Sequence, residues 1–179
     1  APAATPAPTE EPVVPTQPPA PTQPPVEQPT EEPVAGLTCE EPVKVGLITD
    51  ATGALAIYGA HILRSFMLGM EYATGAPGSS GEKFDFAQTQ ENTFKIDDCE
   101  IIVYVRDDGS NPENTATVAR ELIDVQGVNI LVGTVSSGAT ATLQGIALEN
   151  GIPLIVAPAA ANDITGVNFN EYTFRTSRN

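Results

Sequence analysis

Two adjacent serines stand at the start of a predicted helix, where hydroxyl and backbone groups can bind an anion. Residues 133–140 read GTVSSGAT, which places Ser136 and Ser137 directly before a helical pattern. A helix N-terminus offers unpaired N–H groups and the positive end of a dipole, so a carboxylate fits there as well as a phosphate. Alternatively, one of the two serines only caps its own helix. The second hydroxyl would then remain available to face a ligand.

A second candidate segment consists of small residues that follow an apolar run. Residues 157–165 read APAAANDIT. The small side chains of Ala159, Ala160 and Ala161 would let a ligand approach the backbone carbonyl and N–H groups closely. The alternative is a plain connection in which Asn162 or Asp163 caps a short turn.

The other chemically capable residues give little support for catalysis. Tyr58 follows the loop after the first predicted strand, where it could form the wall of a pocket or simply be a half-buried residue at a helix start. His61 is the only histidine, and without cysteine or carboxylate partners at ligand spacing it makes no zinc site. Ser136 is followed by Gly138, but Thr134 stands where a nucleophile elbow requires glycine.

Two acidic residues end the second predicted strand. Asp107 and Asp108 could bind a metal ion or accept a phosphoryl group, although capping of the loop and the following helix is the simpler interpretation. No dinucleotide fingerprint follows the first strand, and no glycine-rich loop ends in Gly-Lys-Ser/Thr. The sequence therefore predicts no metal site, no cofactor and no enzymatic activity.

The two cysteines precede two strands that are neighbours in most doubly wound sheets. Cys39 lies just before the first strand and Cys99 just before the second. The strand starts could therefore lie side by side and allow a disulfide, which an extracytoplasmic setting would favour. The alternative is two unrelated small core residues.

Apolar runs and helical periodicity alternate along residues 43–175. The predicted strands cover residues 43–49, 101–105, 128–132, 152–156 and 172–175. Helices are predicted over residues 58–74, from the Asn111-Pro112 start to about Gln126, and from Ser136 or Ser137 to just before Gly151. The first helix is expected to bury Ile62, Phe66, Met70 and Ala73. Residues 75–98 read as irregular.

This alternation predicts the fold class. The strands are apolar on both faces, as in a parallel sheet covered by helices on each side. We expect an α/β three-layer sandwich with the strand order 2-1-3-4-5. In such folds ligands bind at the carboxyl ends of the strands, where the loops with the serines, the alanines and Tyr58 are expected to meet.

Composition divides the chain in two. Residues 1–42 contain 13 of the 17 prolines and seven acidic residues without any Lys or Arg, so they are predicted to be a disordered linker or stalk. Residues 43–179 are predicted to fold. The net charge of −15 argues against nucleic acid as a partner, and no apolar run reaches the ~18 residues that span a bilayer. No cleavable signal is visible, so Ala1 is expected to follow a processing or cloning boundary.

Several stretches together resemble the amino-terminal lobe of the type I periplasmic binding fold. The most similar family is that of the branched-chain amino-acid-binding proteins of ABC importers. The resemblance covers residues 43–177 and rests on VKVGLITDATGALAIYG, VYVRDDGSNPENTATVARELI, ILVGTVSSGATATLQGIALENGIPLIVAPAAANDIT and YTFRTS. It implies that residues 43–179 form one lobe of a two-lobe domain whose second lobe is absent.

The resemblance also implies site residues. Tyr58 matches the tyrosine beside the ligand, Ser137 the serine that receives the ligand carboxylate, and Ala159 the backbone group that contacts the ligand's amino group. Ala161 stands where the family has a threonine that binds both charged ends of an amino acid, which argues against an α-amino-acid ligand. The family's own disulfide positions are not cysteine here, so a Cys39–Cys99 bridge would be a different one.

The expected function follows from this resemblance. It implies an extracytoplasmic solute-binding protein that takes a small amino acid, carboxylate or amide and delivers it to the membrane permease of an ABC importer. A signal-processed lipoprotein tethered through a residue upstream of Ala1 would suit the stalk. The alternatives are an extracellular ligand-sensing domain of a receptor and an α/β hydrolase-like enzyme that uses Ser136 or Ser137.

Overall fold

A computed structural model describes residues 36–75, 86 and 90–176. Most of the predicted linker, residues 1–35, lies outside the described residues. The strands are β1 (Val43–Thr49), β2 (Glu91–Ile96), β3 (Cys99–Asp107), β4 (Ile130–Val132), β5 (Leu154–Val156) and β6 (Thr173–Arg175). The helices are α1 (Ala56–Thr74), α2 (Pro112–Glu121) and α3 (Ser137–Asn150), with a π-helical turn at Leu122–Gln126 and a 3-10 turn at Asn162–Ile164.

The strands form one six-stranded sheet in the order β2-β3-β1-β4-β5-β6. All pairs from β3 to β6 are parallel, and β2 pairs antiparallel with β3 at one edge. The five predicted strands therefore have the predicted order, and the α/β fold class is confirmed. The prediction that residues 75–98 are irregular is wrong for β2. This strand reads ENTFKI, and only every second side chain is partly buried. Its mostly polar residues therefore do not form the apolar pattern that predicts a strand.

The two faces of the sheet carry separate hydrophobic clusters. In the cluster on one face, the sheet residues Ile48, Leu131 and Leu154 pack together with Leu122 and with Leu143 of α3. In the cluster on the opposite face, the sheet residues Leu47 and Val105 pack together with Ile62, Leu63 and Met67 of α1. Helices thus lie on both faces of the sheet, as the three-layer prediction requires.

The buried face of α1 differs from the predicted one. Ile62, Leu63 and Met67 are buried, whereas Ala73 is exposed and Phe66 and Met70 are only partly buried. The cause lies near the start of the helix. A β-carbon on Gly59 would overlap the carbonyl oxygen of Asp50, so this glycine lets the α1 backbone lie directly against the end of β1. The contact fixes how the helix is turned about its axis.

The start of α2 agrees with its sequence signal. The Asn111 side chain accepts hydrogen bonds from the N–H groups of Glu113 at 2.9 Å and Asn114 at 3.0 Å. Pro112 is the first helical residue and lacks the N–H that this position leaves unpaired. Gly127, with φ of 67°, ends the helical segment.

A disulfide joins the segment before β1 to the first residue of β3, at the amino ends of two neighbouring strands. Cys39 and Cys99 are bonded with their Cα atoms 4.8 Å apart, in agreement with the predicted pairing. The Leu37 N–H donates to the Asp97 carboxylate at 2.9 Å, and the Asp98 N–H donates to the Leu37 carbonyl at 3.1 Å. Residues 36–39, assigned to the linker from composition, are therefore attached to the turn between β2 and β3.

Candidate functional site

Three loops meet at the carboxyl edge of the sheet, as predicted. They follow β1, β4 and β5. Between them lies an open cleft with a volume of about 460 Å³, lined by Leu55, Tyr58, Val135, Ser136, Ser137, Pro158 and Ala160. A second depression of about 350 Å³, between α1 and the end of β1, contains none of the predicted site residues.

The structure brings most of the predicted ligand-binding residues to this cleft. Tyr58, with 54% of its surface exposed, stands on one wall, and Ser136, Ser137 and Ala160 belong to the others. Ala159 is only 1% exposed and does not line the cleft. Ala161 is partly buried and also lies outside the lining. The cleft is therefore bordered by hydroxyls and apolar groups, and no acidic or basic side chain of the described part of the chain lines it.

The N-terminus of α3 opens at this cleft without a side-chain cap. Ser136 occupies the N-cap position, but its side chain makes no capping hydrogen bond, and the first turn carries no acidic residue. The Ser137 hydroxyl oxygen instead accepts a hydrogen bond from the Ala161 N–H at 3.2 Å. The prediction that one of the two serine side chains caps the helix is therefore wrong. Ser137 is the first residue inside the helix, and its hydroxyl has its partner in the loop after β5.

The loop after β5 is attached by a residue that the sequence did not indicate. Arg175, at the end of β6, donates to the carbonyl oxygens of Ala159 and Ala161, each at 3.0 Å. Ala161 takes the N-cap position of the following 3-10 turn, without a side-chain cap. The alternative in which Asn162 or Asp163 caps that turn is therefore not what forms. No local pattern could reveal Arg175, because it lies 14 and 16 residues from the carbonyl groups it binds.

Asp108 is a buried structural acceptor. Its carboxylate accepts hydrogen bonds from the hydroxyls of Thr134 at 2.6 Å and Thr115 at 3.0 Å, and from the Ser110 N–H at 2.9 Å. These bonds join the loop after β3 to the loop after β4 and to α2. These hydrogen bonds agree with the interpretation that Asp108 caps the loop. Among residues 36–75, 86 and 90–176, no group of three potential metal ligands is present.

Asp107 joins the loops after β1 and β3. Its carboxylate accepts hydrogen bonds from the Ala51 N–H at 2.7 Å, the Gly109 N–H at 2.9 Å and the Thr52 hydroxyl. Partial burial raises the pKa of Asp107, but these hydrogen bonds outweigh it, so the pKa lies below its ordinary value. The carboxylate is therefore charged at neutral pH and stabilises the loop that carries Leu55 and leads into α1, where Tyr58 lies.

Comparisons with known proteins show what the chain is similar to. The sequence profile of a family described as periplasmic binding protein matches residues 42–179. The Leu/Ile/Val-binding protein homolog 8 of Brucella abortus is 28% identical over 135 residues, which cover 75% of this chain and 29% of that protein.

Two solved structures from Rhodopseudomonas palustris are similar as well. An ABC-type branched-chain amino acid transporter is 35% identical with a TM-score of 0.65, over 76% of this chain and 33% of the other. A solute-binding protein of an ABC transporter in complex with benzoate is 29% identical with a TM-score of 0.60, over 77% and 33%. The chain therefore spans about a third of the length of the proteins it matches.

Proposed function

We propose that this chain, which belongs to the periplasmic binding protein family, binds a small carboxylate outside the cytoplasm for an ABC importer. The chain would supply one lobe of the solute-binding protein, and a second lobe would close over the cleft. The permease of the importer would be the membrane partner, and residues 1–35 would form a linker between the lobe and a membrane anchor. Binding and release, without chemical conversion of the solute, would be its role.

The uncapped N-terminus of α3 at the cleft supports this proposal most directly. The Ser137 oxygen already accepts the Ala161 N–H, so its own hydroxyl proton is left to donate towards a ligand. The first N–H groups of α3 have no side-chain acceptor at the N-cap. A carboxylate placed there would accept one hydroxyl and one or two backbone N–H bonds, assisted by the helix dipole.

The cleft lining supports a carboxylate with an apolar body. Leu55, Tyr58, Val135 and Pro158 offer apolar contact around the two serines. No acidic side chain of the described lobe lines the cleft to meet an ammonium group. The ligands stated in the names or titles of relatives include Leu/Ile/Val, isoleucine, benzoate and 3,4-dihydroxybenzoic acid, and all of these carry a carboxylate. We therefore propose a monocarboxylate, with the presence of an amino group decided by the second lobe.

Substitution of Ser137 tests the proposed site. In the longer protein, Ser137→Ala should weaken binding of the true ligand roughly tenfold to a hundredfold, because one charge-assisted hydrogen bond contributes about 1.5–3 kcal/mol. Calorimetry against leucine, isoleucine, benzoate, 4-hydroxybenzoate and benzamide would measure it. Ser65→Ala, at an exposed position of α1, is the matched control and should leave the affinity unchanged.

Two outcomes would contradict the proposal. If Ser137→Ala binds the ligand as tightly as the parent, the carboxylate is not bound at the start of α3. If benzamide binds as tightly as benzoate, the ligand is not selected by its charge.

A third variant, Ala161→Thr, restores the family's hydroxyl and should tighten binding of leucine without tightening that of benzoate.

A further inference from the structure

Arg175 connects the last strand of the sheet to the loop that borders the cleft. One terminal nitrogen of its guanidinium donates to the Ala161 carbonyl and the other to the Ala159 carbonyl, each at 3.0 Å. The first nitrogen also lies 3.4 Å from the Thr165 hydroxyl. From these contacts we infer that Arg175 is a positioning residue, which fixes the loop after β5 so that Ser137 faces the ligand. The inference rests on the proposed function.

The arrangement of the peptide groups explains how this positioning works. Arg175 binds the carbonyl of the peptide between Ala159 and Ala160 and the carbonyl of the peptide between Ala161 and Asn162. The peptide between these two carries the Ala161 N–H, which donates to the Ser137 hydroxyl oxygen at 3.2 Å. The two flanking peptides are thus fixed, and the middle one is aimed at Ser137. Since that bond occupies a lone pair of the hydroxyl oxygen, it restricts the directions in which the Ser137 proton can point.

The strand that carries Arg175 is well placed for this task. Arg175 lies opposite Val156, the last residue of β5, where the loop begins. Thr176 donates to the Val156 carbonyl from its N–H at 3.1 Å and from its hydroxyl at 3.2 Å. The guanidinium therefore extends from a backbone that is hydrogen-bonded to the start of the loop.

The chemistry of the side chain makes arginine specific at this position. A guanidinium presents several N–H donors in a planar fork, so one side chain can bind two carbonyls that point from different peptides. A lysine ammonium has the same charge but no such fork. We therefore expect Arg175→Lys to retain the charge and part of the hydrogen bonding, and to lose the simultaneous fixation of both peptides.

Hydrogen exchange in the ligand-free longer protein tests the inference without any ligand. In Arg175→Met the amide of Ala161 should exchange at least tenfold faster than in the parent, while the amides of β1 and β3 keep their rates. Arg120→Met is the matched control, because Arg120 lies exposed on α2 and makes only a 4.0 Å contact with Glu149. This variant should leave Ala161 unchanged. An unchanged rate for Ala161 in Arg175→Met would overturn the inference.

Affinity for leucine and for benzoate provides the second test. Arg175→Met should weaken binding roughly threefold to thirtyfold, because Arg175 and Ser137 belong to one hydrogen-bond network. In a Ser137→Ala background, where the end of that network is already removed, most of this loss should disappear. A loss that is equal in both backgrounds would show that Arg175 does not act through Ser137. If Arg175→Met unfolds, Arg175→Lys takes its place, and parent-like binding and exchange in that variant would also overturn the inference.

The two tests separate failure of the inference from failure of the proposed function. If the parent binds none of the carboxylates, the proposed function fails, yet the exchange rate of Ala161 still decides whether Arg175 fixes the loop. If the parent binds a carboxylate and Ser137→Ala weakens it, but Arg175→Met does not, the site stands and only the role of Arg175 is refuted.

Discussion

Gly59 and Gly69 both belong to α1, but only Gly59 lies in close contact with other parts of the protein. A β-carbon at Gly59 would overlap the carbonyl oxygen of Asp50, and it would lie 3.0 Å from the Thr49 hydroxyl oxygen. The Thr49 hydroxyl donates to the Gly59 carbonyl at 3.0 Å, which keeps the two backbones together. At Gly69 an added β-carbon would meet no atom of the described residues within 4 Å, apart from the neighbouring backbone of α1. The absence of a side chain is therefore required at the first position only.

Alanine substitution should separate these two glycines. Gly59→Ala should lower the free energy of unfolding by about 3 kcal/mol or more, because backbone atoms of α1 or β1 must move to relieve the overlap. Gly69→Ala should raise it by up to ~1 kcal/mol, because alanine is the better helix former. Urea denaturation followed by circular dichroism measures both. Equal effects of the two substitutions would show that the contact with Asp50 does not constrain α1.

Helices α2 and α3 begin in different ways at the same edge of the sheet. The Asn111 side chain binds two N–H groups of α2, and Pro112 and Glu113 suit the first turn. The α3 start lacks a side-chain cap, because Ser136 makes no such bond and the Ser137 oxygen is bonded to the loop after β5. The first arrangement stabilises its helix locally, whereas the second leaves N–H groups for another acceptor.

The two N-cap residues should therefore contribute unequally to stability. Asn111→Ala should lower the free energy of unfolding by about 1 kcal/mol, the usual cost of a lost N-cap. Ser136→Ala should change it by less than about 0.5 kcal/mol, because no capping bond is lost. Thermal unfolding monitored by circular dichroism in ligand-free protein compares them. A loss at Ser136 as large as that at Asn111 would mean that the serine does cap α3.

The elements that the sequence revealed are those encoded by neighbouring residues. The apolar runs of β1, β3, β4 and β5 and the Asn111-Pro112 start of α2 are local patterns, and the predicted strand order is one of the two common orders of doubly wound sheets. Strand β2 was not predicted, because ENTFKI carries mostly polar residues at a half-buried edge of the sheet. The hydrogen bonds of Ser137 to Ala161 and of Arg175 to Ala159 were not predicted either, because only the folded chain brings these residues together.

At the scale of the whole molecule, one covalent bond closes a long segment of the fold. The Cys39–Cys99 disulfide spans 60 residues of sequence, including β1, α1 and β2. Cys99 is fully buried, so its sulfur also belongs to the packed interior. The described residues contain no free cysteine that could exchange with this bond.

Removal of this disulfide should destabilise the protein markedly. A variant with Cys39→Ser and Cys99→Ala should lose roughly 4 kcal/mol, because the chain-entropy model assigns that value to a closed loop of this length. Urea unfolding of the variant and of the oxidised parent measures the difference. Dithiothreitol should lower the stability of the parent and leave that of the variant unchanged. A variant as stable as the oxidised parent would contradict this expectation.

The same bond also determines how a pull on the amino side of the lobe is distributed. Tension that reaches Cys39 continues along residues 40–42 into β1 and crosses the sulfur atoms into β3. These two strands are parallel neighbours, paired from Val43 opposite Ile101 to Thr49 opposite Asp107. The load is thus divided between two central strands that are drawn in the same direction, so the hydrogen bonds between them are not sheared. Without the bridge, β1 alone would carry the load, against its hydrogen bonds to both neighbouring strands.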